Sequence, residues 1–247
     1  MKTEFLLALQ FLTKAPFASV KTVEDRVMAR SMSYFALVGV VVGGASAALY
    51  WLLYQIFPPA VAVLGAIVFV VFATGNLHGD GIMDTADGLF SGKPREKMLE
   101  IMKDSRVGSH GVMAGVLVIA AKFALLSSMD LRTVLIALVL APTLGRWAQV
   151  YGAARYTYIR SNGIGVFTDY VGWRELTLNS VVAIVAALAL LKLSGLVVLG
   201  CALVGTVLFF EFIKSKLGGI TGDTLGAANE TVEVLTMLVI VFLAFNF

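Results

Sequence analysis

A chain of 247 residues that is 59% hydrophobic and 14% charged is too apolar for a soluble domain, in which about a quarter of residues are charged. Its mean hydropathy of +0.89 points to a polytopic membrane protein whose main solvent is lipid. The net charge of +3 is too small to suggest a nucleic-acid partner, and the single cysteine, Cys201, excludes an intrachain disulfide.

The N-terminus carries a short apolar run, Phe5 to Leu12, interrupted by Gln10 and without a small-residue cleavage site. It reads as a retained amphipathic helix at the membrane surface. Seven apolar runs follow, at about 32–57, 60–77, 111–129, 133–150, 176–193, 195–213 and 231–247. Each is near the ~20 residues that a bilayer core requires. Gly39, Gly43 and Gly44 suit close helix packing in the first run, and Pro58-Pro59 turns the chain into the second. Lys122 lies within the third run, facing the bundle interior or an interface; Pro142 is expected to kink the fourth near Arg146. The second polar loop holds Arg155, Arg160, Arg174 and a Gly163-Ile164-Gly165 turn. The fold class expected is all-α: one membrane-embedded helical bundle over residues 1–247, without an internal repeat or a soluble domain.

The cationic residues set the orientation. Residues 1–31 hold five Lys or Arg, 75–110 hold five, 146–176 four and 214–230 two, whereas the opposite side has only Arg132 and Lys192. The positive side is cytoplasmic. The N-terminus and all three polar loops are therefore expected in the cytoplasm, and the C-terminus outside, in the cell membrane.

The chemistry concentrates in one stretch, Gly75 to His110, which gathers Asp80, Asp84, Asp87, Glu96, Glu100 and Asp104 between both histidines, His78 and His110. Asp80, Asp84 and Asp87 are spaced i, i+4, i+7, within about 60° on one helical face. Three carboxylates so close repel unless a cation sits among them, and hard oxygen donors suit Mg²⁺ with phosphate. Gly81 and Gly88 each follow or adjoin an Asp and would let a backbone approach a ligand. Asp104 could complete a coordination shell, and Arg106 could bind phosphate bidentately. Glu96 and Glu100, interleaved with lysines, read as an exposed helix face. A second acidic motif, Gly222-Asp223-Thr224, lies at the entrance to the last span, with Glu230 on the same face.

These residues carry a resemblance. His78-Gly-Asp80-Gly-Ile-Met-Asp84-Thr-Ala-Asp87-Gly88, Met98-Leu-Glu-Ile-Met-Lys-Asp104-Ser-Arg106-Val-Gly108 and Gly218-Gly-Ile-Thr-Gly-Asp223-Thr-Leu-Gly-Ala227 resemble the motifs of the cobalamin synthase family, the adenosylcobinamide-GDP ribazoletransferases. Weaker matches at Gln10–Pro16, Arg30–Phe35 and Ala141–Arg146 extend the resemblance over nearly the whole chain; Gly79 departs from the Leu usual in that family. The resemblance implies transfer of α-ribazole, or its 5′-phosphate, to adenosylcobinamide-GDP, with release of GMP and a requirement for Mg²⁺. Metal ions would rest on Asp80, Asp84 and Asp87 with Asp104. Arg106 and Arg146, with Gly81, Gly88 and Gly222, would hold the substrate. Asp223 or His78 would take the hydroxyl proton. Beyond the lipid bilayer, a homo-oligomer or other enzymes of the cobalamin pathway are compatible partners. A cation-coupled transporter or a phosphotransferase with another alcohol acceptor are the alternatives; the former would place acids in mid-span, whereas the acids here are expected at span ends on one side.

Overall fold

The structure, a computed structural model, describes residues 2–15, 23–160 and 165–246. Pro16 and the Gly163-Ile164 part of the expected turn lie outside the described residues. The helices are α1 (Lys2–Leu12), α2 (Asp25–Ser31), α3 (Phe35–Tyr54), α4 (Pro59–Thr74), α5 (Leu77–Leu89), α6 (Arg95–Ile101), α7 (Ser109–Ser127), α8 (Leu131–Arg155), α9 (Trp173–Leu191), α10 (Ser194–Leu217) and α11 (Gly222–Asn246). Short 3-10 turns at Met32–Tyr34 and Val166–Tyr170 complete the order, and no strand occurs among the described residues. Among the described residues six segments are long and apolar enough to cross a membrane: α2 continued through α3, and each of α7 to α11. The α4–α5 pair makes a seventh if counted as one bent span. The protein is an all-α membrane bundle.

α8 is the central post, buried between α3, α9 and α11. It runs unbroken through Pro142. Proline removes the N–H that would bond the Leu138 carbonyl. Gly43 of α3 lies directly against that oxygen, and a Cβ on Gly39 would stand 2.6 Å from the Pro142 carbonyl oxygen. The two glycines, four residues apart, let α3 approach α8 at backbone distance.

α4 ends in two successive left-handed residues, Gly75 (φ 61°) and Asn76 (φ 58°). They turn the chain by 86° into α5. At 13 residues α5 is about 20 Å long, short of a ~30 Å core. We read it as lying across one end of the bundle, outside the spans. α1 packs against the bundle. Its Leu7, Ala8 and Leu12 are buried, and Phe11 stacks on Phe35 (5.9 Å) and meets Phe167 edge-on (5.8 Å).

Candidate active site

The polar connections meet at the end of the bundle where α5 lies. The carbonyl of Thr157 accepts from the N–H of Ile220 (2.9 Å), and the N–H of Ile159 donates to the carbonyl of Ile220 (3.0 Å). This isolated parallel bridge fastens the segment after α8 to the segment before α11. α11 then starts on a reciprocal cap: the Thr221 N–H donates to Thr224 Oγ1 (2.8 Å) and the Thr224 N–H to Thr221 Oγ1 (3.2 Å). Asp223 falls in the first turn, where the helix dipole favours a carboxylate. The bridge sets Arg160 against it, with Nη2 2.6 Å from Asp223 Oδ2.

α5 packs across this helix start. A Cβ on Gly226 would be 3.3 Å from the Cα of Gly81 and 3.4 Å from that of His78. The two motifs, 143 positions apart between Asp80 and Asp223, line one cavity of about 950 Å³. Its polar wall includes Asp80, Asp223, Arg160, Lys103 and Tyr158; its apolar wall comes from Phe11, Met32, Phe35 and Phe167. That volume is at the upper end for small-molecule sites.

Deeper in the bundle is a second polar cluster. Lys122 Nζ pairs with Glu230 (2.7 Å) and Glu233 (2.6 Å), and Arg146 Nη1 with the other oxygen of Glu233 (2.5 Å). Asn229, Gln149 and His78 continue it toward the large cavity. Two cations balance two anions, so the buried charge cancels.

A family described as cobalamin-5-phosphate synthase matches residues 4–241. The chain belongs to this family. It is 40% identical to an adenosylcobinamide-GDP ribazoletransferase of Desulforamulus reducens over 97% of this chain and 96% of that one. It is 36% identical to proteins of the same name from Thermoanaerobacter pseudethanolicus (94% of each chain) and Acetivibrio thermocellus (98% of this chain, 97% of that one). No solved structure matches. Membership makes the chain a transferase of cobalamin biosynthesis.

Within this family member the expected site residues separate into groups. Asp80, His78, Gly81, Gly222 and Asp223 line the large cavity. Asp84, one turn beyond Asp80, faces the same negative field. Burial, then the charges of Asp80 and Asp223, push its carboxyl up to about 7 against the opposing pull of Arg160.

Asp87 adds to the negative field at Asp84 but does not line the large cavity. Its oxygens accept the N–H groups of Gly108 (2.7 Å) and Gly111 (2.8 Å), capping α7. Gly88 is covered by Met102, with a Cβ placed 3.0 Å from the Met98 carbonyl oxygen, so it permits close packing of α6 on α5. Asp104 and Arg106 pair with each other (2.7 Å) at an exposed turn and line neither cavity. Arg106 holds the Asp104 carboxyl down at about 2. Arg146 is fully buried and spent on Glu233, away from the cavity. Asp87 and Asp104, expected to hold metal, and Gly88, Arg106 and Arg146, expected to hold substrate, do not line the large cavity in this structure.

Among the described residues no three His, Cys, Asp or Glu side chains converge tightly enough to hold a metal ion. The donor chemistry nevertheless fits a hard divalent cation. Asp80, Asp84 and Asp223 offer carboxylate oxygens; burial first, and then the charges of Asp80 and Asp223, raise the Asp84 carboxyl, and a bound cation would relieve that repulsion.

Sequence reasoning passed over Arg160, Tyr158, Lys103 and Glu233. Arg160 could have been found as the arginine nearest the turn of the second polar loop. Glu233 is an acid inside the last apolar run, and such a residue is itself a signal. With Glu230 it also corrects the reading that the acids sit only at span ends.

Proposed function

We propose that this family member joins α-ribazole, or its 5′-phosphate, to adenosylcobinamide-GDP at the 950 Å³ cavity, on the cytoplasmic face of the cell membrane. The observation that carries this reading is that Asp80 and Asp223, from two distant motifs, line that cavity together with Arg160 and Lys103. The names of the relatives support the substrates. The gathering of the cationic loops supports the orientation.

A ribose hydroxyl of the acceptor attacks the phosphorus nearer the corrinoid. The new P–O bond forms as the bond to the bridging oxygen breaks, and GMP leaves with that oxygen. Arg160 and Lys103 bind pyrophosphate oxygens and balance the charge that gathers on the leaving group. Substrate phosphate competes with Asp223 for Arg160. Losing that partner raises the proton affinity of Asp223, which takes the hydroxyl proton. Asp80 and Asp84 would hold Mg²⁺, which would supply charge neutralisation at the pyrophosphate when bound. The buried Glu230 and Glu233 are each paired with a cation, so they leave no free acid to mark a transport path.

The test is product analysis. Purified protein in nanodiscs, given adenosylcobinamide-GDP, Mg²⁺ and α-ribazole or its 5′-phosphate, is expected to release GMP and the joined corrinoid in equal amounts. No acceptor-dependent GMP with either acceptor would overturn the reading.

A further inference from the structure

His78 stands where the cavity meets the bundle interior, and a chain of side chains ties it to Glu233. Asn229 donates through Nδ2 to Glu233 Oε1 (2.8 Å) and to Glu230 Oε1 (3.3 Å). Gln149 donates through Nε2 to Asn229 Oδ1 (3.0 Å). The same Gln149 nitrogen lies 2.9 Å from His78 Nε2.

An amide can be turned either way, and an imidazole can carry its proton on either nitrogen. Here the anions decide. Turning Asn229 would aim its oxygen at two carboxylates, so its NH₂ must face them and its oxygen must face Gln149. Gln149 must then present its NH₂ to that oxygen. Its second N–H points at His78 Nε2, and a ring nitrogen facing a donor must accept. The proton of the neutral imidazole is left on Nδ1. Glu233 can anchor the polarity because Lys122 and Arg146 pair with it directly. His78, Gln149 and Asn229 are all buried, so water does not compete for these bonds.

We infer that the Glu233–Asn229–Gln149 relay fixes His78 as the Nδ1–H tautomer, making it a hydrogen-bond donor to an anionic oxygen of the bound substrate and not the proton acceptor. His78 cannot accept a second proton at Nε2 without losing Gln149. Gln149, Asn229 and Glu233 are positioning residues for it. The tautomer stands on the geometry alone; the role toward substrate rests on the proposed function.

The chain has only two histidines. A His110→Gln variant therefore leaves His78 as the sole signal after ¹⁵N-histidine labelling. Two-bond ¹H–¹⁵N correlation in nanodiscs, without substrate, is expected to show a protonated Nδ1 and an unprotonated Nε2. Gln149→Met removes the donor at nearly constant volume and is expected to move His78 toward the Nε2–H form. A protonated Nε2 in the parent protein, or an unchanged tautomer in Gln149→Met, would overturn the inference.

The kinetic arm uses His78→Asn, which keeps an N–H near the Nδ1 position. It is expected to stay within about tenfold of the parent kcat, while His78→Ala loses about a hundredfold or more, as for removal of one preorganised donor. Equal losses in both would overturn the donor role. If the parent protein shows no transfer at all, the proposed function fails while the tautomer result still decides the relay.

Discussion

Gly81 lies so close to Asp223 that a Cβ on it would stand 2.7 Å from the Asp223 carbonyl oxygen. The obstacle is backbone, which cannot rotate away. Gly81→Ala is therefore expected to push α5 off the start of α11 and separate Asp80 from Asp223. Activity should fall by at least about a hundredfold, as it does when catalytic groups are displaced by ~1 Å. Gly44→Ala, where a Cβ meets nothing within 4 Å, should leave it unchanged. Transfer rates of the two purified variants decide this, and full activity in Gly81→Ala would mean the close approach is not needed.

Asp84 and Asp87 are three residues apart and should respond oppositely. Asn at 87 keeps one acceptor but turns an NH₂ toward a backbone N–H, so the α7 cap weakens by about 1–2 kcal/mol. A carboxyl whose pKa rises on folding weakens the fold as pH climbs above its unfolded value. Asp84 is such a group. Asp84→Asn should therefore fold as well as the parent at pH 7 or above while losing transfer by orders of magnitude. Glu100→Gln, at an exposed position paired with Lys97, should be silent in both. Thermal unfolding and activity measured side by side check all three; equal behaviour of the two Asp variants would refute the division of roles.

Much of this arrangement is legible in the chain. Apolar length identifies the membrane segments because the bilayer imposes that length. Helical spacing puts Asp80 and Asp84 on one face. Spacing also puts Asp87 on that face, but the amides that claim it come from Gly108 and Gly111, at the start of another helix. A local pattern cannot show a partner that only packing supplies. The same holds for Arg106, whose charge suits phosphate but whose nearest anion is Asp104, two residues away. Arg160 reaches Asp223 through a single backbone bridge, for which the sequence carries no periodic signal.

The orientation can be read with thiols. In a Cys201→Ala background, Glu96→Cys on exposed α6 should resist a membrane-impermeant reagent added outside intact cells. Leu193→Cys, in the exposed connection between α9 and α10, should react. The reverse pattern would invert the topology.

Mg²⁺ affinity should depend on pH through Asp84. The ion binds the ionised carboxylate, and the free carboxyl is half-protonated near 7. Binding below that pH must displace a proton, so affinity should fall about tenfold per pH unit and level off above it. Calorimetric titration in buffers of different ionisation enthalpy would show the released proton at pH 6 and none at pH 8. A pH-independent affinity would place the ion elsewhere.

The buried cluster makes the sharpest stability prediction. Lys122 is the only partner cation of Glu230 among the described residues and shares Glu233 with Arg146. Lys122→Met keeps the length of the side chain but strands a carboxylate in the bundle. Breaking one partner of a buried pair costs about 3–5 kcal/mol, because the remaining charge is desolvated and uncompensated. For a chain of this size that corresponds to a Tm lower by on the order of 10 °C. Adding Glu230→Gln removes the stranded charge and leaves the Arg146–Glu233 pair intact, so the double variant should recover most of the loss. Glu230→Gln alone leaves Lys122 paired with Glu233 and should cost less than Lys122→Met. Tm values for the parent, the two single variants and the double variant form a complete cycle. Additive losses would show that Lys122 and Glu230 do not act as a pair. Recovery in the double variant would show that α7 is held against α11 by balanced charge.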